Sequence, residues 1–374
     1  MYLRYFCATL ALVLSISSIF SQEGQDAPST SAPKYSNEFL KIGIGARAFG
    51  MGNAQVGIID DVTAGYWNPA GLSAENAPVY PEVSLMHASY FANIASYNYV
   101  GFSMPIDSST NRSFGVTVIR LGIDDIPNTL NLVEPDGSIN YDRIQSFSTT
   151  DFAALFSYAW APQRVPGLSL GTNLKIIYRG IGRFANAWGF GLDVAAKYSR
   201  KNLQLGLMVT DVTNTFNAWT FNTETFEEAF INTGNVVPQN SIELTRPAVR
   251  LGVGYDFNVT RRLNLLLALD NDLYLDGNRS SAIIKGNGLS LEPRAGMELA
   301  YLNSQYRKVA FLRAGVFNLQ NIKDVDGNEV LGLFPTAGVG VVVKNFQIDY
   351  ALANIGNLSE NLHTHIVSLK FHIQ

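Results

Sequence analysis

Histidines and closely spaced acidic residues could hold a metal ion, so they are considered first. The chain has four histidines, and the one close pair among them is His363-x-His365. No cysteine lies near this pair, which favours an ordinary junction between a loop and a strand over a zinc site. The run 324–329 (DVDGNE) matches the beginning of a calcium-binding loop but lacks the glutamate that ends one, which favours a polar Asp-Gly turn. We therefore expect no metal and no cofactor.

Groups that could carry out nucleophilic or phosphate chemistry have little support. We find no credible set of serine, histidine and aspartate residues for a catalytic triad. The single cysteine, Cys7, lies inside an apolar N-terminal run, so the mature chain has no thiol for a disulfide, a metal or a nucleophile. The Gly43-x-Gly45-x-Arg47 spacing looks superficially like a phosphate loop, but no Gly-Lys-Ser/Thr follows it. We predict that the protein is not an enzyme.

The first 34 residues predict export. Arg4 is followed by an apolar run from Tyr5 to Leu14 and then by small residues up to Ser21, which is the plan of a cleavable signal peptide. The run is too short to span a membrane as a helix. Residues 22–34 are small and polar and include two prolines, which is typical of a flexible leader. We therefore assign residues 1–21 to a signal peptide and residues 22–34 to a leader.

The composition favours β structure. The chain is rich in Gly (32), Phe (22) and Tyr (17), and aromatic residues favour strands while glycine serves turns and close approaches. A net charge of −4 and the lack of any basic run argue against a nucleic-acid partner.

From about residue 80 to the end, apolar residues alternate with polar or small ones in strand-length segments. In 249–257, for example, Val249, Leu251 and Val253 alternate with Arg250 and Gly252. We predict fourteen strands, accurate to about 3 residues at each end. Their approximate ranges are 82–91, 93–105, 113–123, 147–160, 168–181, 186–199, 202–213, 245–258, 262–275, 290–302, 308–320, 334–343, 346–355 and 364–374.

The gaps between these strands alternate in length. Compact turns such as 200–201 and 344–345 alternate with long loops such as 124–146, 214–244 and 276–289. Outer-membrane barrels have short periplasmic turns, longer external loops and an even strand number, whereas a soluble β-sandwich has no reason to segregate its loops. We predict an all-β membrane protein: a 14-stranded antiparallel transmembrane barrel over residues 80–374, in the outer membrane, with both termini periplasmic.

The predicted inward faces carry charges of both signs. A selective pore would explain them, but a wide channel usually has a constriction of one sign, so we favour a packed lumen whose charges pair with one another and with a plug. These residues are Lys175, Arg179, Asp193, Lys197, Arg250, Asp256, Asp270, Arg294, Glu298, Arg313 and Asp349.

Residues 35–79 are dense in glycine and too broken for regular strands, so we predict that they form a hatch that plugs the lumen. Gly43, Gly45, Gly50 and Gly52 would let the backbone pass close to the barrel wall. In the run 67–71 (WNPAG) we expect a rigid corner, because Pro69 fixes φ, Gly71 permits a left-handed residue and the Asn68 side chain can cap the turn.

These motifs resemble those of a known family. The run 45–52 (GARAFGMG), Asp60-Asp61 and 67–72 (WNPAGL) resemble the hatch of the PorV/PorQ family of Bacteroidota outer-membrane proteins. The ending from Gln347 to Phe371 resembles that family's last two strands. The family is related to FadL-type long-chain fatty-acid transporters, which are fourteen-stranded barrels with an N-terminal hatch. Gly71 stands where PorV itself would have a lysine, which indicates a paralogue.

The resemblance implies a component of the type IX secretion system. Proteins of this kind bind the C-terminal signal domain of cargo, the translocon and a sortase-like protease, so these are the partners we expect, together with outer-membrane lipid. The hatch residues that match the motif are Arg47, Gly50, Gly52, Trp67, Asn68, Pro69 and Gly71.

One predicted external loop is the best candidate for a contact surface. The segment 214–244 is rich in aromatic residues, which are common at interfaces. A partner-binding loop is one hypothesis; the alternative is a FadL-like transporter of hydrophobic small molecules, for which the same loop would form the entry groove. The loop aromatics are Phe216, Trp219, Phe221, Phe226 and Phe230.

Overall fold

A computed structural model describes residues 36–373, apart from 91–93, 107–110, 131, 133, 135, 136, 233, 277, 278, 280, 287, 324–327 and 354–363. The predicted signal peptide and leader lie outside the described residues, as do His363 and most of the run 324–329.

The described chain after residue 80 consists mainly of long strands whose ends agree closely with the alternation in the sequence. The strands are β1 (Glu82–Tyr90), β2 (Ala95–Pro105), β3 (Arg112–Asn128), β4 (Gln145–Trp160), β5 (Leu168–Ile181), β6 (Ala185–Arg200), β7 (Leu203–Thr210), β8 (Phe216–Phe221), β9 (Ser241–Leu244), β10 (Ala248–Asn258), β11 (Leu263–Tyr274), β12 (Ile284–Gly286), β13 (Leu289–Leu302), β14 (Lys308–Lys323), β15 (Glu329–Val343), β16 (Phe346–Ala353) and β17 (Thr364–His372).

Fourteen of these strands form a closed antiparallel ring. Each long strand pairs with its neighbours along the chain, β7 pairs with β10 and β11 with β13, and β17 returns to pair with β1, for example at Val83↔Phe371. Closure leaves no edge strand, so every wall strand has a partner on both sides along at least part of its length. The predicted fold class, a 14-stranded antiparallel barrel, is confirmed.

The strands extend further into the predicted loops than the alternation indicated. β8 and β9 lie in the predicted loop 214–244 and pair with each other, and β8 also pairs with the upper part of β6. They continue β7 and β10 beyond a kink where Asp211 and Asn214 have positive φ. At such a kink the order of inward-facing and outward-facing residues changes. The alternation of apolar and polar residues is then interrupted, and the strand beyond the kink is not recognised from the sequence.

Two hairpins at the long-loop end are longer than predicted for the same reason. β3 runs to Asn128 and β15 begins at Glu329, and their pairings with β4 and β14 shift register between Ile123 and Ile126 and between Phe317 and Gln320. Each shift is a bulge, where the alternation is interrupted but pairing continues.

The outward faces of the strands are apolar. Large side chains such as Leu85, Val100, Leu174 and Leu205 are 40–48% exposed, although they belong to the most hydrophobic residue types. Such a surface is the one a barrel presents to lipid. Among the described residues, no helix is both long and apolar enough to cross a membrane.

Residues 36–80, called the lumenal segment below, contain short helical turns: a 3-10 turn at Glu38–Lys41, helix α1 (Ala46–Gly50), helix α2 (Ala64–Trp67) and a 3-10 turn at Pro69–Ser73. A further helix, α3 (Glu227–Asn232), follows β8. The segment starts near the long loops, where the Asn37 amide bonds the Thr245 hydroxyl at 2.8 Å, and reaches the short-turn end, where the Val62 N–H donates to Glu82.

Candidate functional site

The lumenal segment lies against the inner faces of strands all around the barrel. Inward glycines of the wall meet glycines of the segment, so that two backbones come into contact. A Cβ atom added at Gly338 would lie 3.0 Å from the Cα of Gly50, and one added at Gly206 would lie 2.9 Å from the Cα of Gly57. Such close approaches exclude larger side chains. Gly50 and Gly52 both pack closely on the wall, and Gly52 also has a positive φ of 60°. Gly43 and Gly45 have φ values of 101° and 85°, and an added Cβ there would meet Asn53 and Thr63 of the segment itself rather than the wall.

Arg47 ties the segment to the wall. Its guanidinium donates two hydrogen bonds to the Glu298 carboxylate, at 2.9 and 3.1 Å. Glu298 also accepts a bond from Arg313 at 2.7 Å, and Arg313 bonds Asp349 at 2.7 Å. Two carboxylates therefore balance two guanidinium groups in a buried network, which is the condition for holding charges away from water.

A second tie lies nearer the short-turn end. The Lys370 ammonium on β17 donates to the Asp61 carboxylate at 2.7 Å, and the Thr63 backbone N–H and hydroxyl also donate to Asp61. Burial by itself would raise the pKa of Asp61, but the nearby Lys370 and Arg47 charges outweigh it and hold that pKa below its ordinary value of 3.8. Asp61 is therefore an anion at neutral pH.

The WNPAG corner is buried and hydrogen-bonded, in a geometry that differs in part from the prediction. Trp67 is fully buried, and its indole N–H donates to the Ile44 carbonyl at 3.0 Å. Asn68 caps the following 3-10 turn by accepting from Ala70 N–H, and Pro69 is the first residue of that turn. The prediction that Gly71 is left-handed was wrong, because its φ is not positive; a Cβ there would lie 2.6 Å from the Ile59 carbonyl oxygen.

The rest of the lumen is packed with paired charges. Lys175 pairs with Asp193 and with Asp211, and Asp272 lies between Arg294 at 2.7 Å and Arg250 at 3.6 Å. The cavity beside them has a volume of only about 40 Å³, and a second one beside Arg47 and Asp61 about 20 Å³. These spaces hold a few water molecules. Beside these ion pairs, a buried apolar cluster that includes Trp67 and Tyr97 packs the lumenal segment against the wall.

An apolar pocket, called the mouth pocket below, lies at the end of the barrel that carries the long loops. Its volume is about 330 Å³, and it lies over the short turn between β5 and β6. The rings of Phe147 and Phe184 meet edge to face with centroids 5.1 Å apart, and Phe226 and Phe230 meet at 5.1 Å. Its apolar lining residues are Pro127, Leu130, Phe147, Ile181, Phe184, Ala185, Phe221, Phe226, Phe230 and Pro238.

The five loop aromatics do not form one surface. Phe221, Phe226 and Phe230 line the mouth pocket. Trp219 lies beside it, where its indole N–H donates to Glu243 at 3.0 Å. Phe216 is on the outward face of β8 and packs against Phe190, with centroids 5.9 Å apart. Phe147 and Phe184, which complete the pocket, were not predicted, because isolated aromatic residues in strands and short turns look ordinary in the sequence.

One enzyme-like spacing was also missed. Gly167-Leu168-Ser169-Leu170-Gly171 has the Gly-x-Ser-x-Gly pattern of hydrolases. Ser169 lies in strand β5 rather than at a strand-to-helix turn, and its side chain is 1% exposed. The geometry of a nucleophile elbow is therefore absent at this serine.

No protein-family model matches the chain, and no curated protein matches it. Solved structures do resemble it. The CymD monoaromatic hydrocarbon channel has a TM-score of 0.54 at 11% identity, covering 89% of this chain and 98% of its own. The Ralstonia pickettii toluene transporter TbuX has a TM-score of 0.51 at 15% identity, covering 89% and 99%. The Pseudomonas putida toluene transporter TodX scores 0.51 at 14% identity, covering 88% and 96%.

At these identities the likeness concerns the fold. The chain shares its overall fold with these proteins, over nearly its whole described length and nearly the whole of each neighbour. The proteins it resembles are transport channels rather than enzymes.

Proposed function

We propose that the protein is an outer-membrane barrel that takes up small hydrophobic molecules, and that the mouth pocket is where they first bind. The observation that carries this proposal is an apolar pocket of about 330 Å³ at the long-loop end, far larger than the cavity of about 40 Å³ described inside the lumen. Pockets of this size lined by aromatic and aliphatic side chains are typical of small-molecule sites.

The neighbours support the same solute class. CymD is a monoaromatic hydrocarbon channel, and TbuX and TodX are toluene transporters. A single aromatic ring could pack against Phe184 and Phe226, whose centroids are 6.4 Å apart, in an offset or edge-to-face arrangement. We therefore propose monoaromatic hydrocarbons as the first solutes to test.

The first prediction concerns uptake. Phe184→Ser and Phe226→Ser should each lower uptake of a radiolabelled monoaromatic hydrocarbon by cells that express the protein, because a hydroxyl replaces apolar contact area in the pocket. Each substitution should weaken binding about tenfold to a hundredfold, because burial of a phenylalanine side chain contributes about 1.5–3 kcal/mol. Tyr141→Ser is the control, since Tyr141 is 70% exposed and outside the pocket. Equal uptake by all variants at equal barrel levels would overturn the proposal.

A second candidate is the secretion role implied by the hatch and C-terminal motifs. It is favoured by large apolar side chains that project from the loops: Tyr141 is 70% exposed, Ile231 62% and Val236 88%. Exposed apolar groups of this kind mark protein contacts. Co-purification of a cargo signal domain or a sortase-like partner that is lost in Tyr141→Ser and Val236→Ser, and kept in Phe226→Ser, would favour secretion over uptake.

A further inference from the structure

The barrel wall has an open seam between β13 and β14. The two strands pair from Leu302↔Lys308 up to Ala295↔Val316. Above that point, β13 begins at Leu289 and pairs with β11 and β12, whereas β14 continues to Lys323 and pairs with β15. Among the described residues, no pairing joins the upper parts of β13 and β14. The backbone edges of residues 289–294 and 317–323 therefore face each other without a ladder between them.

Both edges carry features that oppose the addition of another strand. Pro293 has no N–H to donate, and Asn318 has a φ of 51° within the bulge of β14. Proline and bulges are the devices that protect a sheet edge from pairing. A peptide strand is therefore a poor occupant of this seam.

A groove on the lipid-facing side of the wall ends at the seam. Its volume is about 620 Å³, and it extends from Leu205 on β7 across β10 and β11 to Val316 and Leu319 on β14. Four strand spacings separate its two ends, which is roughly 19 Å. The groove forms because the outward side chains of Pro293 and Ala295 on β13 are short. The outward side chains on neighbouring strands are longer, such as that of Leu269, which is 58% exposed.

A polar side chain on the outward face lines this groove. Asn271 alternates with the inward Asp270 and Asp272, so its amide points away from the lumen. The amide oxygen is buried and has no hydrogen-bond partner among the described residues. A buried acceptor without a partner costs free energy, and this oxygen is closed to a molecule lying in the groove.

We propose that this wall groove binds one acyl chain of an outer-leaflet membrane lipid. The groove is lined mainly by apolar side chains and faces the bilayer. Its length of roughly 19 Å runs across tilted strands, and therefore obliquely to the bilayer normal, which leaves room for an acyl chain that lies along the wall. The blunted edges of the seam exclude a peptide strand. The proposal does not depend on which solute the mouth pocket takes.

The test uses the full-length barrel, extracted from native membranes in a mild detergent and washed extensively. Ala295→Trp should fill the groove, and Leu251→Trp should narrow it independently from β10. Ala154→Trp is the matched control, because Ala154 is an outward alanine on β4 outside the groove. Mass spectrometry of the extracted lipids should find about one retained lipid per barrel in the wild type and in Ala154→Trp.

In both groove variants the amount of retained lipid per barrel should fall at least fivefold, while the yield of folded barrel stays unchanged. Two results would overturn the proposal: equal lipid retention in all four proteins, or no retained lipid in the wild type. If one groove variant fails to insert, the other still decides, since the two substitutions lie on different strands.

Discussion

At the scale of single residues, the lumenal segment is held by ion pairs between distant parts of the chain. Lys370 donates to Asp61 at 2.7 Å, and both side chains are at least 87% buried. Removing one partner of such a pair leaves a buried charge without compensation, which costs about 3–5 kcal/mol. Asp61→Asn should therefore lower the midpoint of thermal unfolding at neutral pH, measured by circular dichroism in detergent.

The pH dependence of that effect has a definite sign. Because the pKa of Asp61 lies below its ordinary value of 3.8, the pair stabilises the folded barrel fully above about pH 4. This stabilisation is lost as the pH falls further and Asp61 becomes protonated. The difference between wild type and Asp61→Asn should shrink on acidification. Asp124→Asn is the control, because Asp124 is exposed on β3, away from this pair. A gap between wild type and Asp61→Asn that widens below pH 4 would contradict this assignment.

The sequence did not show which residues pair in the two ties. Arg47 and Asp61 stand in the hatch motif, but their partners Glu298 and Lys370 lie 251 and 309 residues away. The strand pattern placed Glu298 on an inward face, and yet which inward residue meets which part of the lumenal segment depends on strand register and on the path of that segment. Neither is encoded in local periodicity.

At the scale of elements, backbone contacts between glycines set the distance between the lumenal segment and the wall. A Cβ at Gly296 would lie 2.8 Å from the Cβ of Met51. Overpacking of this kind typically costs about 1–3 kcal/mol. Gly296→Ala should therefore destabilise the barrel and increase its permeability to small solutes, measured by thermal unfolding and by liposome swelling.

A matched wall glycine provides the control. A Cβ at Gly180 on β5 would meet only the Tyr178 ring, at 3.4–3.7 Å, which is ordinary contact. Gly180→Ala should therefore leave stability and permeability close to the wild type. If both alanine variants behave alike, close packing of the lumenal segment against β13 is not what closes the lumen.

The strands themselves were predictable wherever their alternation was uninterrupted. The short turns after β6 and β15 agree with the expected 200–201 and 344–345 within a residue. The upper parts of the hairpins were not predictable, because a positive φ at Asp211 or Asn318 breaks the alternation while pairing continues beyond it. For the same reason, the alternation of residues in the sequence does not predict the seam between β13 and β14.

At the scale of the whole molecule, the two ends of the barrel differ. The long-loop end carries the mouth pocket and the exposed apolar residues Tyr141 and Val236, while the opposite end consists of short turns such as the one that contains Tyr306. Uptake and secretion both require the long-loop end to face outward, which is also the rule for barrels of this kind. Orientation is therefore a test that both proposed functions must pass.

Cysteine labelling of intact cells provides that test. Tyr141→Cys and Val236→Cys should react with a membrane-impermeant maleimide, since these positions are 70% and 88% exposed on the long loops. Tyr306→Cys, 66% exposed at the short-turn end, should react only after the outer membrane is permeabilised. The two lumenal cavities among the described residues, of about 40 and 20 Å³, are far smaller than a maleimide dye. Labelling of Tyr306→Cys on intact cells would invert the orientation and remove the basis for an external mouth pocket.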